Sequence, residues 1–340
     1  MKFDAVVGNP PYQETIGDDS NASLSKQLFP YFIMTSITLQ PEYISLITPA
    51  RWFTGDAQDK SFLKLRVFLR EHNCFEKMFY YKNEKDIFSS VEIKGGIQYF
   101  LWHKGHTGKV LFTTHDNGNQ SSIERNLFED GLDVVISDVR MLQILYKVKN
   151  DNFISIVNIT KGRNAFGIIG KDDVVNKISQ ETSFDGACEL RCKSDTIRYI
   201  TKDKVTKNID VFEHYKVFIS KSAGNPNSDQ KVIGKAYVGD PYSACTDSLI
   251  PIGCFNNREE AENLSKYLST KFLRFMVQIL KSSQNVTQTV YQFVPMQDFT
   301  NKSDINWSST INDIDRQLYK KYLLSDDDIN YIESAISPID

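Results

Sequence analysis

The chain has 340 residues, 41% of them apolar and 24% charged, with a formal net charge of -3. That is enough apolar material to bury sizeable cores without disulfide staples, no apolar run is long enough to cross a bilayer, and Met1 leads into a strand instead of a signal segment, so the expected place is the cytoplasm. The slightly acidic balance excludes a broadly basic surface, and any nucleic-acid contact has to come from local cationic patches.

The first element, Phe3-Asp4-Ala5-Val6-Val7-Gly8-Asn9-Pro10-Pro11-Tyr12, carries the most chemistry. Ala5, Val6 and Val7 read as a buried parallel strand, and Gly8 as the turn at its carboxyl end, where open α/β sheets place their ligands. Pro10 and Pro11 each fix φ and remove an N–H, so the loop is stiff and offers acceptor oxygens beside one aromatic ring. The Asn9 side-chain oxygen and the Pro10 carbonyl suit the two hydrogens of an exocyclic amino group on a planar base, with Tyr12 stacked on the ring. Taken alone, the tetrapeptide fits equally well a proline-stiffened turn whose tyrosine caps a core.

A second apolar strand follows over residues 43–53, broken at Pro49, and residues 62–70 have helical spacing. Residues 86–91 read as a loop feeding an alternating strand over 93–102, then a turn at Lys104-Gly105 and a partner strand near Val110-Leu111-Phe112. Together with Asn-Pro-Pro-Tyr, the Pro49-Ala50-Arg51-Trp52 segment and Ile93-Lys94-Gly95-Gly96 followed by Tyr99-Phe100 resemble the amino-group DNA methyltransferases, in the adenine-specific branch found in fused, type IIG-like restriction–modification enzymes. The resemblance implies a partial doubly wound, Rossmann-like α/β sheet. It also implies methyl transfer from S-adenosylmethionine to the N6 of a flipped adenine held by Asn9, Pro10, Pro11 and Tyr12. Phe88 occupies the place of the aromatic that stacks on the second face of the base; ordinary packing under a hairpin is its other reading.

Members of that family place a glycine-rich cofactor loop before the Asn-Pro-Pro-Tyr strand, whereas only Met1 and Lys2 precede Phe3 here. Gly105 to Lys109 and Gly234-Lys235 lack phosphate-loop spacing, and Gly162 to Gly170 opens no strand–turn–helix unit. The cofactor-binding residues therefore stay unknown. The expectation is a site for S-adenosylmethionine completed by a missing N-terminal half or by a partner chain, which would also carry a nuclease domain. Cys74, Cys188, Cys192, Cys245 and Cys254 form no C-x-x-C pair and no zinc set with histidine, so they read as reduced thiols with no metal.

From residue 116 the character changes. Asn117 to Ser122 read as a polar linker, and residues 137–148 as a connecting helix with a Ser137 cap. A second domain mixes short strands, such as Tyr215 to Ser220, with polar loops and one strong helix over 258–280. Its order of elements resembles the α+β target-recognition domain of the same family. Arg163, Lys216, Lys221, Lys281, Gln284 and Asn285 have the side chains that contact phosphates or base edges, although each alone reads equally as a solvated polar residue. A helical tail follows, capped at Ser325 and docked through Trp307, Leu318, Tyr322 and Ile332. The expected division is a catalytic half (1–115), a linker and connecting helix (116–150), a target-recognition domain that binds double-stranded DNA (151–300) and the tail (301–340). The second reading is a non-catalytic DNA-binding specificity module, or a decayed methylase fragment.

Overall fold

The computed structural model describes residues 3–338 apart from 16–24, 56, 58, 90–92, 94, 117, 130–131, 222–231 and 282–285. The chain forms two compact units, Met1–Val139 and Arg140–Asp340. The first opens with strand β1 (Ala5–Gly8), a short β2–β3 ladder (Gln13–Thr15 with Ser25–Gln27), helix α1 (Phe29–Thr38), β4 (Tyr43–Pro49), α2 (Ser61–Glu71) and β5 (Phe75–Tyr81). Strands β6 (Ile97–His103), β7 (Val110–Asp116) and β8 (Asn119–Arg125) complete it. Six strands share one sheet in the order β1-β4-β6-β5-β7-β8. β1 runs parallel to β4 and β5 parallel to β7, while β6 lies antiparallel between β4 and β5.

Helical spacing explains how one face of this sheet is covered. Phe29, Ile33 and Ile37 recur every fourth residue along α1, and Phe62, Leu65 and Leu69 do the same work along α2. They bury Ile44, Leu46, Met78, Phe100 and Phe112 of the sheet in one core. On the opposite face Val7 and Tyr43 are exposed, and Phe79, Tyr81, Tyr99 and His115 are half-buried. Phe79 stacks on Tyr99 at 4.6 Å and Tyr81 on His115 at 4.1 Å.

The second unit contains α3 (Val139–Val148), α4 (Asp172–Ile178), β9 (Cys188–Arg191), β10 (Ile197–Ile200), α5 (Ile209–Phe212) and β11 (Tyr215–Ser220). It continues with β12 (Ala236–Gly239), β13 (Ser243–Cys245), β14 (Leu249–Phe255), α6 (Arg258–Ser269), α7 (Lys271–Gln278), α8 (Ile311–Lys321) and α9 (Asp326–Ala335). Two three-stranded sheets, β10-β9-β13 and β12-β11-β14, meet at a core around Phe166, Leu190, Phe212 and Phe218. In the tail, Ser325 and Asp328 form a reciprocal capping box at α9. Trp307, Leu318, Tyr322 and Ile332 are buried, as the sequence suggests.

Several sequence expectations are corrected. β1 is parallel but not buried: it is an edge strand, with Val7 77% exposed. The strand at Val110 does not partner β6, because β5, a strand that shows no clean alternation in sequence, lies between them. Asn119 to Ser122, within the expected linker, are strand instead: Gly118, at φ +78°, turns the chain and Asn119–Arg125 pair with β7 as the outer strand. The helix expected over 258–280 is two helices. Thr270 leaves the helical region at φ -67°, ψ 147°, and its hydroxyl caps the start of α7 by accepting from Leu273 N.

Candidate functional site

Gly8 ends β1, so Asn9-Pro10-Pro11-Tyr12 leaves the sheet at its carboxyl edge, next to the carboxyl end of β4 at Pro49. Asn9 and Pro11 are exposed and Pro10 is half-buried. Among the described residues the Asn9 amide has no hydrogen-bond partner, which leaves its oxygen open to a ligand. Tyr12 is better anchored: its carbonyl accepts from Leu28 N at 2.9 Å at the entry to α1, and its ring packs partly on the core. Its hydroxyl is enclosed without a hydrogen-bond partner among the described residues, and burial raises the phenol pKa. The loop is thus held at its tyrosine end and presented at its asparagine end.

The neighbouring Ala50-Arg51-Trp52-Phe53 segment folds into a tight turn against two glycines. Ala50 N donates to Gly96 O at 3.0 Å, Gly55 N to Arg51 O at 2.9 Å, and Trp52 is fully buried. Gly96 has φ +78°, and a Cβ there would lie 2.4 Å from the Tyr81 carbonyl, so only glycine fits. Gly95, at φ +89°, lets the backbone approach Arg51 so closely that a Cβ would sit 2.8 Å from Arg51 Cγ. Arg66 of α2 fixes the same turn, its Nη1 donating to Trp52 O at 2.7 Å and Gly55 O at 2.8 Å. Phe88 follows the carboxyl end of β5 through a short turn in which its N–H donates to Glu84 O at 2.8 Å, and its ring is half-buried. The three segments singled out in the sequence therefore all leave the sheet at its carboxyl edge.

In the second unit four segments converge beside β11. Lys221 N donates to Ser248 O at 3.0 Å, Val286 N to Lys221 O at 2.7 Å, Lys161 N to Pro251 O at 3.0 Å, and the Gln288 amide to Thr160 O at 2.6 Å. At their meeting point Asp247, which sequence inspection missed, binds Arg163 through Nε (3.0 Å) and Nη2 (2.7 Å) and accepts from Gly170 N at 2.8 Å. Burial pushes this carboxyl up, but the Gly170 and Arg163 bonds with the nearby Lys221 outweigh it, and its pKa ends lowered. Arg163 remains 70% exposed, and Lys221 is partly exposed with its Nζ 4.0 Å from Asp247. Lys281 is half-buried, its N–H donating to Val277 O and Gln278 O at 3.2 Å at the end of α7, while Gln284 and Asn285 lie outside the described residues.

Lys216 requires a correction. It is fully buried, and its three ammonium hydrogens go to the carbonyls of Phe212 (3.0 Å), His214 (2.9 Å) and Asp240 (2.8 Å), between the rings of Phe212 and Phe218. Desolvation pulls its pKa down to about 7. It ties the end of α5 to the β12–β13 turn and cannot reach a phosphate.

Parts of the chain are similar to known proteins. Residues 1–88 match the family described as Eco57I restriction-modification methylase. Over 133 residues the chain is 38% identical to a protein of Mycoplasma pneumoniae described as an uncharacterized adenine-specific methylase, a stretch that makes up 38% of this chain and 31% of that relative. Among solved structures, the type IIG restriction endonuclease BpuSI aligns with 98% of this chain and 53% of its own at 14% identity and a TM-score of 0.38. The type IIL restriction-modification enzyme MmeI, solved with DNA, aligns over 98% and 52% at 10% identity and a TM-score of 0.49. The chain spans 31% of the curated relative and about half of these two enzymes. The similarity to the Eco57I restriction-modification methylases thus lies in residues 1–88, which include the Asn-Pro-Pro-Tyr loop, and the similarity to the adenine-specific methylase covers 133 residues.

Proposed function

We propose that the chain is the base-holding part of a site-specific DNA adenine-N6 methyltransferase of a restriction–modification system, joined to its target-recognition domain. The observation that carries this reading is the unpartnered Asn9 amide on a proline-stiffened loop at the carboxyl edge of a parallel strand pair. The Asn9 oxygen and the Pro10 carbonyl accept the two hydrogens of the adenine amino group, turning the nitrogen lone pair out of the ring system. Tyr12, braced at α1, stacks on one face of the extruded base and Phe88 on the other. No general base is needed, because the proton leaves after the amine has been alkylated.

S-adenosylmethionine supplies the methyl group in such a reaction. The described residues offer it only a margin: there is no glycine-rich strand–turn–helix among them, and β1 pairs with β4 alone, leaving its outer edge open. A cofactor-binding segment that adds a strand along this edge, from the same polypeptide or another, would bring the cofactor beside Asn9. In the second unit, Arg163 and Lys221 contact DNA, and Lys281, Gln284 and Asn285 are further candidates by residue type.

Product identity tests the proposal. The chain is supplied with a cofactor-binding half, incubated with S-adenosylmethionine and genomic DNA, and the nucleosides are analysed by mass spectrometry. N6-methyladenine is the expected product. Methylcytosine, or no methylated base while DNA is bound, would favour another target or the specificity-module reading.

A further inference from the structure

Arg51 stands apart from the other arginines of the first unit. Arg66 and Arg70 donate to backbone carbonyls and Arg125 to a carbonyl and a carboxylate, so all three are committed to the fold. Among the described residues Arg51 has neither a carboxylate nor a hydrogen-bond acceptor. It is nonetheless half-buried, with its guanidinium 5.9 Å from the Phe62 ring centroid and its stem against the backbone of Gly95. Burial lowers its pKa. A cation that is partly desolvated and unpaired costs free energy unless an anion completes it.

We propose that Arg51 is an anion-binding residue of the catalytic cleft and that its ligand is a phosphodiester group of the DNA strand carrying the target base. This rests on the methyltransferase reading above. The position supports it: Arg51 follows the carboxyl end of β4, directly beside the strand that carries Asn9. A planar guanidinium beside an aromatic ring, on a stem held against a glycine backbone, suits the fork-like recognition of a tetrahedral oxyanion. β1 lies between β4, which leads into Arg51, and the open edge where a cofactor-binding strand would dock, which favours the DNA strand over the cofactor as its ligand.

The test uses the full chain and a fluorescein-labelled duplex of mixed sequence, with binding followed by anisotropy across a salt series. Arg51→Gln is expected to bind about tenfold more weakly at low salt, and its plot of log affinity against log salt to be shallower by about one. Arg51→Lys, which keeps the stem and the charge but loses the fork, should fall between the two and serves as the readout if the glutamine variant fails to fold. Unchanged affinity and slope in a folded Arg51→Gln would overturn the proposal and leave the methyltransferase reading standing. A wild-type chain that binds no duplex at any salt would overturn both. Weakened binding of S-adenosylmethionine with DNA binding intact, in calorimetry on the chain supplied with a cofactor-binding half, would reassign Arg51 to a carboxylate and also overturn it.

Discussion

Strands β1 and β11 invert the expectation that their residues raise. Ala5-Val6-Val7 is apolar, yet Ala5 and Val7 lie exposed, Val7 77% accessible, whereas Lys216, an ionisable side chain, is fully buried near the start of β11. The difference lies in the neighbours. β11 is hydrogen-bonded on both sides, to β12 and β14, and its lysine finds three carbonyls at a helix end and a turn, while β1 has a strand on one side only. Burial at a given residue is set by what completes the layer around it. A cation with all three donors satisfied is tolerated inside, and an apolar strand without a second neighbour is left at the surface.

The largest effect expected from this contrast is at Lys216. Lys216→Ala leaves three buried carbonyls without their donor and opens a cavity, at a cost on the order of 3 kcal/mol, measurable by urea unfolding. A pH dependence accompanies it. Because the folded pKa is lowered to about 7 from 10.5, the unfolded chain binds more protons at this site between those values, so its contribution raises stability as pH increases across that window and is flat below it. Lys216→Met should remove that slope. Its persistence would mean that another group carries it.

Next in size is the contrast between Lys216 and the exposed cations of the second unit. Arg163→Ala and Lys221→Ala together should flatten the salt dependence of duplex binding by about two in log–log slope, whereas a folded Lys216 variant should leave it unchanged. Equal slopes for the double variant and the wild type would take the Asp247-centred cluster off the DNA-contact surface. Tyr12→Phe is smaller. Its enclosed hydroxyl has no partner among the described residues, so its removal should be neutral or stabilising by up to about 1 kcal/mol, read as a shift in Tm; a clear loss of stability would reveal a bond to that oxygen. Val7→Thr is expected to be smallest, changing the stability of the isolated chain by less than about 0.5 kcal/mol while weakening the docking of a cofactor-binding half. A large loss of stability in the chain alone would contradict the open edge of β1.

Much of the fold is legible from residue patterns. The spacing of Phe62, Leu65 and Leu69 marks α2, and Ser325 followed by acids marks the start of α9. Features set by partners are not legible. Phe75–Tyr81 lacks alternation because both faces of β5 carry large residues, with Phe79 and Tyr81 stacked on β6 and β7 rather than buried. The polarity of β8 reads as a linker because the strand is an outer one, with mostly exposed side chains. The apolar pattern runs through Thr270 without a break, since both α6 and α7 bury a face. At the candidate sites the Asn-Pro-Pro-Tyr loop announces itself by unusual residues, but Asp247 and Arg51 are ordinary residues whose significance lies in contacts made or missing far along the chain.

Asn9 is the residue on which adenine methylation by this site depends most directly. With the chain supplied with a cofactor-binding half, the rate of N6-methyladenine formation is compared for wild type and Asn9→Ala, alongside duplex binding and thermal unfolding. The expected result is a loss on the order of 100-fold in rate with binding and Tm unchanged. A variant that methylates at the wild-type rate would show that the loop is only a proline-stiffened turn, and adenine methylation by this site would have to be given up.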